Sequence, residues 1–159
     1  MLKRSILVTS LAVGLLATPA FAAVPLRGRG PDTQAAMLAL VVPTVRSSGN
    51  AVQVLNQLCE DPSHQRRCTP IKHRLQTALE AAVKQQVTWV PKRQSHEGQF
   101  WVFAPVSFGS HPVRAKMAWQ DPGKYGCNGW TRMDFKLQRG AWSLFEGVGV
   151  VGCSAVPVS

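Results

Sequence analysis

Two serines and a histidine lie close together in this sequence, at Ser107, Ser110 and His111. These residue types carry nucleophilic catalysis when a base reaches a hydroxyl group. His96 and Glu97 form a second pair with acid–base potential. The sequence has no Gly-x-Ser-x-Gly motif, and catalytic triads are assembled in space rather than in sequence. We therefore interpret the serine–histidine stretch as a polar turn, and a small periplasmic hydrolase with a histidine-containing site is the alternative function.

The acidic side chains give no support for glycoside hydrolysis, which needs two carboxyl groups converging on one cleft. Of the eight Asp and Glu residues, only Glu60 and Asp61 are adjacent. These two fall in a short polar loop between Cys59 and Cys68. We therefore do not expect a glycosidase.

The four cysteines, Cys59, Cys68, Cys127 and Cys153, are an even number, which in an exported domain indicates two disulfides. Cys59 and Cys68 flank the polar loop, whereas the other two flank a predicted hairpin that turns at residues 138–140. Facing residues of a hairpin have a constant sum of residue numbers. This sum is 278 or 279 next to the turn and 280 for the cysteines, so one β-bulge would bring them opposite each other. We predict the pairs Cys59–Cys68 and Cys127–Cys153.

The first pair has an alternative interpretation. Cys59, His64, Cys68 and His73 could form a zinc site with two thiolate and two imidazole ligands. Their spacing is not that of a zinc finger, and an oxidising compartment favours the disulfide. We therefore expect neither a metal nor a cofactor.

The N-terminal residues have the three parts of a secretory signal peptide. A basic start and an apolar run over residues 6–16 precede a small-x-small cleavage site that ends at Ala22. We predict that residues 1–22 are removed and that residues 23–159 form a single periplasmic or secreted domain, in which residues 23–31 are a flexible basic arm. No later apolar run is long enough to span a membrane.

The charge of the chain indicates the kind of partner. The sequence carries 18 Lys and Arg residues against 8 Asp and Glu residues. Two of the basic residues lie in the signal peptide, so the exported part has a net charge of +8. This charge favours anionic partners. Because export separates the protein from nucleic acid, we expect an acidic protein or an anionic component of the cell envelope instead.

The pattern of apolar residues changes along the chain from helical spacing to alternation. Helices are predicted over about residues 32–42, 51–59 and 70–82. Strands are predicted over about residues 99–108, 112–120, 129–137 and 141–151. Helices followed by antiparallel strands indicate an α+β fold, in which two to three N-terminal helices pack on a four-stranded antiparallel meander.

One stretch of the predicted sheet resembles a known structural motif. Residues 133–144, with the sequence MDFKLQRGAWSL, are similar to the last hairpin of nuclear-transport-factor-2-like (NTF2-like) and cystatin-like domains. The resemblance implies an NTF2-like or cystatin-like shape. It implies no functional residue.

The outward face of the predicted sheet is the candidate binding surface. Alternation places four cations there, with aromatic residues beside them: Arg114, Lys116, Arg132 and Lys136, then Trp101, Phe103 and Trp130. Cations among aromatic rings suit contacts to anionic groups together with stacking on flat rings or sugars. The alternative is a solvated face that keeps the protein soluble. We expect a non-enzymatic binding module of the size and charge of inhibitor or immunity proteins.

Overall fold

The computed structural model describes residues 26–42, 52–83, 85–94, 98–121 and 126–153 of the 159-residue chain. Two helices and seven strands occur in these ranges. The helices are α1 (Pro31–Leu40) and α2 (His73–Ala82). The strands are β1 (Val52–Asp61), β2 (Arg66–Pro70), β3 (Val87–Val90), β4 (Phe100–Phe103), β5 (Val113–Asp121), β6 (Cys127–Gln138) and β7 (Ala141–Cys153). Neither described helix is long and apolar enough to cross a membrane.

All seven strands belong to one mixed sheet. Its order is β2-β1-β4-β5-β6-β7, and β3 pairs with the first half of β1 beside β2. β1 runs parallel to both β3 and β4, whereas β4 to β7 are antiparallel neighbours in chain order. The predicted fold of two to three helices on a four-stranded meander is therefore wrong. The NTF2-like or cystatin-like shape that the last hairpin suggested is wrong as well, because the sheet is mixed and has seven strands. The broader α+β class is correct.

The main error is the predicted second helix, because its residues form β1, an internal strand of the sheet. Val52 and Val54 are buried against the helices, while Leu55 and Cys59 are buried on the opposite side of the sheet. A strand with apolar residues on both faces has no simple alternation, and its apolar positions then resemble helical spacing. Residues 52–61 form a strand whose apolar side chains fill a core on each face of the sheet.

The two cores have different sizes. The larger core fills the space between the helices and the sheet, and it includes Met37, Leu79 and Met117. The smaller core lies on the other face, where Val90, Phe100 and Val102 join Leu55 and Cys59; the half-buried Cys68 packs beside them. β1 and β4 therefore contribute apolar side chains to both cores.

The β6–β7 hairpin confirms the predicted register. Arg139 and Gly140 form its two-residue turn with φ angles of 51° and 76°, the left-handed conformation that such tight turns require. Leu137 faces Trp142, and Cys127 faces Cys153 after one irregularity between residues 134 and 135. The two cysteines form a disulfide. A local turn signal and one bulge were therefore sufficient to predict the pairing.

The second predicted disulfide, Cys59–Cys68, is also present and joins facing residues of the β1–β2 hairpin. Two disulfides fit an extracellular or periplasmic location. The two sulfurs are bonded to each other, so they do not offer thiolates to a zinc ion. Among the described residues, no group of three or more His, Cys, Asp or Glu side chains could hold a metal.

Part of the predicted basic arm packs against the sheet. The Trp142 main-chain N–H donates to the Leu26 carbonyl at 2.7 Å, and the indole N–H of the same residue donates to the Gly28 carbonyl at 2.7 Å. The Arg29 guanidinium lies 5.9 Å from the centroid of the Phe108 ring. Residues 26–30 are thus held in place by contacts. Residues 23–25 and the predicted signal peptide lie outside the described residues.

Candidate anion-binding groove

Four of the predicted face residues lie together on the side of the sheet opposite the helices. Lys116 of β5 faces Arg132 of β6, and the neighbouring pair is Ala118 and Trp130. Facing residues in an antiparallel pair project from the same side, and Arg114 lies two residues from Lys116 along β5. The structure therefore brings Arg114, Lys116, Arg132 and Trp130 into one cluster, which we call the basic face.

Trp101 does not belong to this face. It faces Trp119 across the β4–β5 pair and is fully buried in the larger core, together with Phe103. Its indole N–H donates to Gln99 Oε1 at 3.0 Å, which satisfies the buried ring nitrogen. The prediction for Trp101 and Phe103 was wrong because β4 is apolar at every position, so its pattern cannot distinguish the two faces of the sheet.

Lys136 lies on the same side of the sheet as the basic face but at its far end. It pairs with Ser143 beyond the bulge. Its Nζ atom lies 3.3 Å from the centroid of the exposed Phe145 ring, a cation–π contact. Lys136 is therefore separate from the cluster that the other three cations form.

A buried carboxylate organises the basic face. Asp134 Oδ1 lies 3.1 Å from Arg132 Nε and 3.6 Å from Arg114 Nε, and only 5% of the Asp134 side chain is exposed. The Arg132 contact lacks the alignment of a hydrogen bond, so its attraction is that of an ion pair. Asp134 lies two residues after Arg132 in β6, so alternation puts both on the same side of the sheet. Asp134 is thus the buried counter-ion of the two arginines, while Glu146 of β7 faces it from an exposed position.

These cations line a groove of about 360 Å³. The groove lies between the basic face, the end of β1 and the loop that follows β4. Its walls are formed by Glu60, Ala104, Pro105, Ser107, Arg114, Lys116 and Arg132. The guanidinium side chains of Arg114 and Arg132 are 48% and 31% exposed. Both side chains are therefore partly accessible to a bound molecule.

The acids at the rim of the groove have partners of their own. Arg67 Nη1 lies 3.3 Å from Glu60 Oε2, and His64 Nδ1 lies 2.8 Å from Asp61 Oδ2. The side-chain hydrogen bond with His64 holds the pKa of Asp61 below its usual value, and the charge of Lys116 acts in the same direction. The nearest cationic partners of these two acids thus come from the β1–β2 hairpin rather than from Arg114 and Arg132.

A smaller pocket of about 210 Å³ adjoins the groove. Phe100, Val102 and Ala118 contribute apolar surface, and Trp130 forms an aromatic wall. Side chains with amide or hydroxyl groups complete the lining: Ser63, Gln65, Gln120 and Asn128. Lys116 brings the groove close to this pocket, because it lines the groove and its Nζ lies 5.7 Å from the centroid of the Trp130 ring.

The serine–histidine stretch forms a turn next to the groove. The Ser110 hydroxyl oxygen lies 2.8 Å from the main-chain carbonyl oxygens of both Ser107 and Pro112, which share its single proton, and 2.9 Å from the Ser107 hydroxyl. His111 is exposed. These hydrogen bonds give the Ser110 hydroxyl a structural role in the turn. The other acid–base pair, His96 and Glu97, lies outside the described residues.

Comparison with models of protein families, with curated proteins and with solved structures finds no match to this chain. The geometry and charge of the groove are therefore the basis for a functional proposal.

Proposed function

We propose that this protein is an exported binding protein that holds an anionic group of its partner in the groove above β5 and β6. The partner is an acidic protein or an anionic component of the cell envelope. The observation that carries the proposal is the buried Asp134 between Arg114 and Arg132. It supports a groove in which two guanidinium groups are oriented before any ligand arrives.

An arginine side chain that is mobile before binding loses rotamer entropy when a ligand fixes it. Orientation of Arg114 and Arg132 by Asp134 reduces this cost and so favours binding. A guanidinium has five N–H donors in a planar fork that matches carboxylate and phosphate groups. Asp134 lies next to the Nε atom of each arginine, so the terminal nitrogens are left for a ligand. Lys116 supplies a third cation from the adjacent strand position.

Export follows from the N-terminal sequence in this proposal. The charge and apolar pattern of residues 1–22 support cleavage after Ala22 and release into the periplasm or the medium. The two disulfides are compatible with that destination.

Replacing Lys116 with Glu is expected to weaken binding of a carboxylated polymer about 10- to 100-fold, which corresponds to the loss of one hydrogen bond between charged groups. The variant should keep its fold, since a glutamate at this position faces Arg132 and opposite charges on facing strands attract. Dissociation constants for poly-glutamate and for oligogalacturonate, measured by calorimetry at low salt, provide the test.

The matched control is Lys136→Glu, which changes the net charge by the same amount on the same side of the sheet but outside the groove. We expect it to alter affinity less than about 3-fold, the effect of long-range charge alone at moderate salt. Equal losses in the two variants would mean that net charge, rather than the groove, attracts the polymer. No binding of either polymer by the wild-type protein would refute the proposal.

A further inference from the structure

Building on the proposed function, we infer that the anionic partner is a glycan: a sugar ring stacks on Trp130 in the small pocket while an acidic group of the same chain binds Lys116 and Arg132 in the groove. The inference rests on the proximity of the two cavities: Lys116 lines the groove, Trp130 lines the small pocket, and the Lys116 Nζ atom lies 5.7 Å from the centroid of the Trp130 ring. The pocket is lined by an indole ring and side-chain amides, whereas the groove is lined by three cations.

The aromatic wall suits a sugar ring. Trp130 is partly exposed, and it lines the pocket beside the apolar side chains of Val102 and Ala118. A pyranose ring has an apolar face of C–H groups that matches a flat indole, whereas its edge carries hydroxyl groups. A pocket with one aromatic wall and polar groups around it satisfies both parts of such a ring.

The polar lining of the pocket also suits hydroxyl groups. Side-chain amides both donate and accept hydrogen bonds, as sugar hydroxyls do. The amide oxygen of Gln120 accepts a hydrogen bond from Arg93 Nη1 at 2.7 Å, which fixes the amide and leaves its NH₂ group as a donor. Asn128 is exposed at the facing position of β6. These two amides lie beside the aromatic wall.

Trp130 lies close enough to Lys116 and Arg132 for one ligand to contact the ring and both cations. Arg132 lies two residues from Trp130 on the same strand, which is about 6.6 Å along β6. Lys116 faces Arg132 and lies over the Trp130 ring. An acidic substituent on a ring that stacks on Trp130 is therefore within reach of both cations.

A peptide partner fits this surface less well. Extended peptides commonly bind by pairing with the free edge of a sheet. β5 and β6 are internal strands whose neighbours are β4 and β7, so their main-chain groups are already paired. Recognition on this face must use side chains, and side-chain amides with one indole are suited to hydroxyl groups rather than to a peptide backbone.

The experiment compares three probes by calorimetry with the purified protein: an oligogalacturonate, a neutral glucan of the same length, and poly-glutamate of matched charge. We expect the oligogalacturonate to bind at least 10-fold more tightly than either of the others. Trp130→Ala should weaken oligogalacturonate binding about 10-fold or more, and Trp130→Phe should retain most of the affinity. Poly-glutamate binding should respond to Lys116→Glu but not to Trp130→Ala.

The chain offers a matched control, because Lys136 and Phe145 form a similar cation–aromatic contact outside the pocket. Phe145→Ala should leave oligogalacturonate affinity within about 2-fold of the wild type. Poly-glutamate binding as tight as that of the glycan, with no effect of Trp130→Ala, would overturn the glycan inference while the anion groove would stand. Neutral glucan binding as tight as that of the charged glycan, or failure of Lys116→Glu to weaken binding, would overturn both.

Discussion

Replacing Cys127 and Cys153 with alanine together should lower the free energy of unfolding by up to about 3.6 kcal/mol, the chain-entropy value for closing a loop of this length. The disulfide joins residues 26 apart and thus closes the whole β6–β7 hairpin. β7 has particular need of it because this strand is at the edge of the sheet and exposes Phe145, Val150 and Val151. Urea unfolding of the wild type and the double variant measures the difference.

The effect should be concentrated at the end of the hairpin. Amide hydrogen exchange of residues 148–152 should accelerate in the double variant, because only the ladder to β6 would then hold them. Replacing Cys59 and Cys68 provides the comparison: it should destabilise the protein without selectively accelerating exchange in β7. Unchanged stability and exchange after loss of Cys127–Cys153 would show that the ladder alone holds the hairpin together.

Replacing Asp134 with alanine should lower the free energy of unfolding by about 2 kcal/mol. Removing one partner of a fully buried ion pair costs about 3–5 kcal/mol, and the cost is smaller here because Arg114 and Arg132 are partly exposed. The variant leaves Arg114 and Arg132, two like charges on adjacent strands, without their buried counter-ion. Thermal or urea unfolding at neutral pH gives the measurement.

Glu146 offers the control for this prediction, because it faces Asp134 on β7 yet is exposed. Glu146→Ala removes the same charge and should change stability by no more than about 0.5 kcal/mol, as is usual for exposed positions. If the two variants were equally stable, Asp134 would not organise the arginines. The proposed orientation of the groove would then lose its physical basis.

The features that the sequence predicted correctly are those that depend on short-range signals. The β6–β7 register follows from the turn at Arg139 and Gly140 together with one bulge. This register brings Cys127 opposite Cys153, so it also determines the disulfide. The alternation of side chains along each strand places Lys116 and Arg132 on one face of the sheet. No contact between distant segments is needed for these conclusions.

The features that were missed depend on contacts between distant segments. β1 is a strand because β3 and β4 pair with it in parallel, and the residues of those strands lie far away in the sequence. Trp101 was assigned to the wrong face because its strand is apolar on both sides. The role of Asp134 was missed, because its burial beside Arg114 and Arg132 depends on how β5 and β6 pair.

The position of the bound anion provides the most direct test of the groove. We propose titrating the ¹⁵N-labelled protein with oligogalacturonate and following both main-chain amides and arginine side-chain Nε–H signals by NMR. The largest shifts are expected at Arg114, Lys116 and Arg132, with smaller shifts at the Trp130 indole. Shifts confined to the exposed arginines of β2, Arg66 and Arg67, would contradict an anion-binding site above β5 and β6.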